Sequence, residues 1–457
     1  MSLSGGAFEL DYSYSYKRPS GLQQDGAGNH LSLVTSAPHA RDTRFFQGSV
    51  LSPKRTADLL LAVVEVVRSR FHTPPAMLER ILEEADPVIT CGADRLRFEG
   101  FSACCGVYAR LDLLPNAIQG QRFSSGTTNV DFNPPMRAAL SRLRESDPLA
   151  LSVGAEGFEA RHEAGTTVER KVKLPARWLR GFVEAQAYQA RMRPRIEATG
   201  LEFRRFLREA PKAWKGMAWV SRSGAGLRLS QRPSPGAVAV GGLARLRVLE
   251  PVARHAIRFC LHAPDSEGAT GWEMDTPDSR FHLVLSPEVW RGFSGEGQAL
   301  SALAKTAREP AMGALKAALR WQSGIDAAAL ARDAGVTEDA VEWALAQCAA
   351  SGLVGYDLAD RVYFHRELPF DMKSITRLQP RLENARKLAA EGAVRIEVKG
   401  NPVLAWVRSR ELEHRVTIDG ESGRCSCTWF ARHGESRGPC KHVLAVRIVL
   451  GGGDDID

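Results

Sequence analysis

Residues 424–446 read RCSCTWFARHGESRGPCKHVLAV, and this stretch carries the sharpest chemical signal in the chain. Cys425 and Cys427 are two apart, so on an extended strand both side chains leave the same face. Their sulfurs can then close on one metal ion, with Zn–S bonds of about 2.3 Å. Cys440 and His442 cannot converge within a helix, because residues i and i+2 diverge around its axis. Pro439 keeps Gly438 out of helical geometry and lets a helix begin near Cys440. Cys440 then stands at the cap and His442 in the first turn of 441–450, where the helix dipole and Lys441 favour a thiolate. Cys425, Cys427, Cys440 and His442 are therefore expected to bind Zn2+. All four ligands come from the protein, so the site is closed and structural rather than a Lewis acid. His433 is a competing fourth ligand, and the Cys-x-His pair is preferred.

The Cys-x-Cys…Cys-x-His spacing departs from the usual Cys-x2-Cys finger and resembles the SWIM zinc finger. The residues around it match as well: a β-rich lead-in over 394–418, Arg424-Cys-Ser-Cys, and Cys440-Lys-His-Val-Leu-Ala-Val. The resemblance covers about the last sixty residues. It implies a module that binds DNA or proteins. Three further segments, FSACCGVYARLDLLP (101–115), GTTNVDFNPPMRAAL (126–140) and LSPEVWRGFSGEG (285–297), are similar to a bacterial SWIM-protein family of this length. Such proteins are often encoded beside a MoxR-type AAA+ ATPase and a von Willebrand A protein, which the resemblance implies as partners.

A chain of 457 residues is too long for one core, and 44% apolar with 25% charged residues is ordinary globular composition. No basic-then-apolar leader opens the sequence, and the most apolar stretch, 59–67, is short and interrupted by Glu65. The four cysteines outside the cluster lack a disulfide spacing, which suits a reducing compartment. These features predict a soluble, cytoplasmic protein without a membrane partner. The net charge of +8 is uneven. Fifteen Lys and Arg against eight Asp and Glu fall in 372–450. Such a basic terminus suits a phosphate-backbone binder.

The expected class is α+β and multidomain. Residues 1–30 read as a flexible arm, with 21–30 as a loose loop. A first α+β domain is expected over 31–210, with helices at 54–70, 75–85, 135–144, 175–192 and 199–209. Its strands are expected near 88–91, 95–99, 150–153 and 166–173. Residues 119–135 (QGQRFSSGTTNVDFNPP) read as a structured loop without the Gly-Lys-Ser/Thr of a phosphate site. A second α+β unit, 211–305, alternates short strands before a helix near 286–304. Residues 306–371 fit a winged helix, with helices at 311–320, 327–333 and 337–350 and a hairpin at 357–360. The would-be recognition helix exposes Glu338, Asp339, Glu342 and Trp343 and carries no Lys or Arg. Phosphates would repel it, so it reads as a protein-docking element with Trp343, Glu338 and Glu342 as contacts. A linker helix at 379–391 leads into the zinc module of 372–450, and 451–457 is an acidic tail.

No HExxH, phosphate loop or dinucleotide fingerprint occurs, and Cys104-Cys105 has no assignable base. The chain is therefore expected to be a non-enzymatic adaptor with no catalytic residues. Arg424, Arg432, Arg437 and Lys441 are the candidate nucleic-acid contacts, with Trp429 and Phe430 as stacking surfaces or as packing beneath the zinc loop. The alternatives are a sequence-independent DNA- or RNA-binding protein and an enzyme with an unrecognised N-terminal fold.

Overall fold

The computed structural model describes residues 21–25, 28–34, 44–69, 71, 87–129, 132, 134–154, 176–214, 216–224, 226–265, 267–288, 292–293, 297, 299–300, 304, 309–368, 379–420 and 422–451. At its centre is an eight-stranded antiparallel sheet. In spatial order the strands are β10 (Arg193–Thr199), β14 (Arg258–Ala263), β15 (Thr270–Asp275), β16 (Ser279–Leu285), β6 (Val107–Leu113), β5 (Leu96–Phe101), β4 (Val88–Cys91) and β8 (Gly126–Asn129). The expected boundary at 210/211 falls within this sheet. Its strands come from both 31–210 and 211–305, so backbone hydrogen bonds join what the sequence suggested were two units.

Period-two alternation sorts the side chains of these strands onto two faces. One face is apolar: Phe98, Leu111, Phe259, Trp272, Phe281 and Leu283 are fully buried. Helix α1 (Pro53–Arg68) lies across β5 and β6, and it is buried on most of its circumference because nine of its sixteen residues are Leu, Ala or Val. Helix α2 (Pro134–Arg142) packs on α1, and its Met136 and Leu140 are buried in the same core. On the opposite face, helix α3 (Ala176–Gln189) brings Trp178 and Phe182 against Phe101. Helix α4 (Gly200–Glu209) starts with a Thr199–Glu202 capping box and stacks Phe203 on Phe259 at 4.0 Å.

The other face is charged. Arg97, Asp112, Arg280, Asp275 and Arg258 stand opposite one another on successive strands, an alternating ladder five strands wide. Opposite charges facing across strands stabilise a sheet by roughly 0.2–1 kcal/mol per pair. Such alternation usually marks a solvated face. Here one end of the ladder, Arg97 and Asp112, is fully buried. It is covered by the hairpin of β17 (Val354–Asp357) and β18 (Val362–His365). Asp357, fully buried at the end of β17, lies 3.3 Å from Arg97 Nη2 and 3.1 Å from Arg110 Nη2. Arg110 also donates to the Tyr356 carbonyl at 2.8 Å. Arg366 pairs with Glu99, which in turn accepts from Tyr108 Oη at 2.5 Å. Burial alone would raise the Asp357 carboxyl, but Arg110 and Arg97 outweigh it and hold the group well below the usual carboxylate range.

The hairpin follows helices α5 (Glu309–Ala318), α6 (Ala327–Ala334) and α7 (Glu338–Ala350). Asp326 and Thr337 cap α6 and α7, and Gly335 (φ 64°) makes the tight left-handed turn between them. Val341, Ala344, Leu345 and Cys348 face the core of this unit.

A five-stranded sheet runs β1 (Gly21–Asp25), β2 (Gly28–Val34), β9 (Leu149–Gly154), β3 (Arg44–Val50), β7 (Ile118–Arg122), with β2 and β9 parallel. Residues 21–25 and 28–30 are thus paired strands, not a loose loop. The supposed loop over 119–135 contains most of β7 and all of β8: tertiary pairing overrides its polar, Gly-containing composition there. A three-stranded sheet is ordered β12 (Gly226–Ser230), β11 (Met217–Ser223), β13 (Val238–Gly241). The expected helix at 75–85 and strand at 166–173 lie outside the described residues, as do 1–20 and 452–457 and most of the expected helix at 286–304. Among the described residues, no helix is long and apolar enough to cross a membrane.

Candidate metal centre

Helix α8 (Pro380–Ala390) leads into a four-stranded sheet of β19 (Val394–Val398), β20 (Val403–Ser409), β21 (Leu412–Asp419) and β22 (Ser422–Cys425). A short α9 (Thr428–His433) and then α10 (Lys441–Gly451) follow. Ala405, Val407, Val416 and Ile418 alternate onto the inner face of the sheet, where α10 packs with Val443, Leu444 and Val446. Gly423 lets the two approach, since a Cβ there would lie 2.6 Å from Val443 Cγ1.

Cys425 ends β22 opposite Val416, and Cys427 caps α9 by accepting from the Phe430 N–H at 3.4 Å. The Cys440 carbonyl accepts from the Leu444 N–H at 3.0 Å, so Cys440 stands just before α10 with His442 in its first turn. The three sulfurs and one nitrogen of His442 lie within 4.8 Å of one another, and all four residues are buried. His442 Nδ1 is 3.6 Å from Cys425 Sγ, while its Nε2 is buried without a hydrogen-bond partner among the described residues. The His414 ring lies beside it, with centroids 4.2 Å apart.

Cys440 beside it, and then burial, push the Cys427 thiol up to about 12; Cys425 beside it, and then burial, push the Cys440 thiol up to about 11. Three thiols this close do not ionise together without a cation. A divalent ion supplies the charge that lets them become thiolates. Sulfur-rich donors with one imidazole and a buried, four-cornered arrangement suit zinc. His433 is not the fourth ligand. It sits at the end of α9 against Trp429, with Nε2 3.4 Å from Arg437 Nη1, outside the four-ligand group.

Residues 414–450 match the SWIM zinc finger family model. The SWIM module thus holds its metal ligands where the spacing placed them. A search of curated proteins finds no match. Among solved structures, the chain is similar to Proliferating Cellular Nuclear Antigen from Entamoeba histolytica, at 9% identity over 53% of this chain and 98% of that one, with a TM-score of 0.34. It is also similar to the PCNA2–PCNA3 complex from Sulfolobus tokodaii, at 8% identity over 52% of this chain and 98% of that one, also with a TM-score of 0.34. Likeness at that level carries no argument about fold or function.

The four basic residues expected to touch nucleic acid part company. Arg424 is exposed on β22 and Arg432 is exposed on α9. Arg437 is half-buried and its carbonyl accepts from Arg381 Nη1 at 2.7 Å. Lys441 donates to Ser409 Oγ at 3.0 Å. Trp429 and Phe430 pack against the core of the SWIM module, and the Arg381 guanidinium covers the Trp429 ring at 4.8 Å, so the packing alternative holds for both. On the outer sheet face lie residues that the sequence analysis passed over: Arg395, Trp406, Arg408 and Arg415. Their signal was the alternation in VLAWVRS (403–409) and LEHRVTID (412–419), which sends Trp406 and Arg415 away from the core.

Trp343 is half-buried and lines, with Asp339 and Glu342, a cleft of about 950 Å³ between α3, α7 and the hairpin; Glu338 is exposed outside it. Two other groups of metal-ligand types lie on the charged sheet face. Asp112, His282 and Asp357 surround Arg97 and Arg110, and Glu273 already meets Arg258 at 3.2 Å and His262 at 2.7 Å. Their negative charge is spent on guanidinium groups, and burial pushes the Cys260 thiol up to about 12. Neither resembles a metal site.

Proposed function

We propose that the chain is a non-enzymatic adaptor whose SWIM module, ordered by zinc, binds a macromolecule. The large sheet and the α5–α7 unit serve as its scaffold. The observation that carries this reading is the pairing of a closed, four-ligand site with an exposed arginine-rich surface on the same small module. A closed site orders chain without taking substrate, and exposed arginines attract phosphate. Nucleic acid is the favoured target of the module, through Arg424 and Arg432 above all.

For the chain as a whole a protein partner is the second reading. The cleft at α7 favours it: Trp343 offers an aromatic anchor among side chains of both signs, Asp339 and Glu342 on one hand and Arg191, Arg193 and Arg361 on the other. In this reading α5–α7 and the hairpin act as a winged-helix-like docking unit, and an AAA+ ATPase and a von Willebrand A protein are the partners to try.

Fluorescence-polarisation binding of the zinc-loaded chain to labelled DNA and RNA across a salt series tests the first reading, with Cys440→Ser alongside. Cys440→Ser should lose bound zinc by mass spectrometry and lose binding with it. Binding that survives loss of the metal would overturn zinc-dependent recognition. If Trp343→Ala abolishes capture of a purified ATPase partner, the second reading gains; if capture is unchanged, the cleft is not its docking site.

A further inference from the structure

The outer face of the four-stranded SWIM sheet turns away from α10 and the zinc ligands. Its neighbours Ala405 and Val407 point into the core, so Trp406 points out. The register sets Arg395 and Arg415 directly opposite Trp406, one on each neighbouring strand. Arg408 follows two residues along β20, and Arg424 stands opposite Thr417 on the next strand. All four arginines are exposed, and Trp406 is half-buried with its indole N–H donated to Glu397 at 2.7 Å. Three acids share the face, Glu397, Glu413 and Asp419, and Glu413 meets Arg395 only at 3.9 Å with both side chains more than half exposed. Four positive charges against three therefore share the face with one aromatic ring.

We infer that this face is a binding platform for single-stranded nucleic acid, resting on the nucleic-acid reading of the SWIM module above. An outward-facing ring on a sheet surface offers a base its stacking partner, and guanidinium groups on both sides can follow the phosphates of the same strand. A paired base in a duplex has no free face to offer, so the single strand is the occupant. Both chemistries address base faces and phosphates rather than the sugar, so deoxyribose and ribose strands bind alike. Glu397 fixes the indole edge by hydrogen bond and leaves its ring as the contact surface.

The test uses the zinc-loaded full chain and a fluorescein-labelled oligothymidylate of about 20 nucleotides, longer than one such site occupies. An oligouridylate and a duplex of the same length run alongside. Trp406→Ala should weaken binding roughly 5- to 100-fold while leaving the slope of log affinity against log salt unchanged. Arg415→Gln should lower that slope by about 0.7, the share of one single-strand phosphate contact. Because Trp406→Ala can also loosen the sheet, zinc content and melting temperature are measured for each variant, and the exposed Arg415 provides the second readout. Tighter binding of the duplex than of either single strand would overturn the platform. So would binding that is lost in Arg432→Glu, on α9, yet unchanged in both sheet variants; that result leaves the nucleic-acid reading of the module standing. No binding by the wild-type chain at low salt would end both.

Discussion

His282 stands on β16 opposite Arg110, and its Nε2 lies 3.0 Å from Arg110 Nη2. A guanidinium only donates, so the imidazole accepts there and is neutral, with its proton on Nδ1. Burial, and then the Arg110 charge, hold its pKa well below the ordinary value. An unfolded histidine titrates near about 6.5. Because the folded value is the lower one, this group's stabilisation is complete above the unfolded value and is lost as pH falls below it. The melting temperature should therefore drop between about pH 7 and about pH 5, by up to about 1.4 kcal/mol of stability per pH unit for this one proton. Differential scanning calorimetry of His282→Gln should show a flatter profile; an unchanged slope would assign the pH dependence to other groups. The zinc ligands belong to the same scale and were readable there, because metal geometry restricts residue type and spacing together. Trp406 was not, since one aromatic in a strand reads equally as core or surface until its neighbours are placed.

At the scale of elements, the hairpin of β17 and β18 is fastened to the large sheet by charge. Asp357 answers both Arg97 and Arg110, and Arg366 answers Glu99, all within the buried interior. Removing one member of such a set leaves the others buried without an answering charge. Asp357→Ala should cost about 3–5 kcal/mol in denaturant unfolding. Arg280→Ala removes a partly exposed ion of the same ladder and should cost no more than about 1 kcal/mol. Equal losses in the two variants would show that burial does not set the strength of these pairs. The helices of this unit were legible from caps and apolar spacing, as Asp326, Thr337 and Gly335 illustrate. That its hairpin would cover Arg97 and Arg110 was not: alternation along β5 and β6 marks two chemically different faces and is silent about which of them meets water.

Across the whole molecule, the SWIM module is not an appendage on a string. Its core includes Val183 of α3, Ala350 of α7, and Ala299, Leu300 and Ala304. Zinc therefore supports a seam with the rest of the chain as well as the module itself. Stripping zinc with a chelator should raise hydrogen–deuterium exchange in β20–β22 and α10 and at this seam, while β5, β6, β15 and β16 keep their protection. Protection unchanged throughout would mean that apolar packing, not metal, orders the module. Exchange rising across the large sheet as well would mean that the seam holds the entire fold.

The sequence by itself determined the zinc ligands, the order of helices and strands in 309–365, and the alternation of the strands at 217–230 and 258–285, because each follows from spacing between near neighbours. Only the tertiary structure decided that residues from both sides of 210 build one sheet, that 21–25, 28–34, 118–122 and 126–129 are strands, that a charged face is buried under Asp357, and that Trp406 stands outward among arginines. Those outcomes depend on contacts between residues far apart in the chain, and a strand's local pattern fixes which residues share a face without fixing what that face meets.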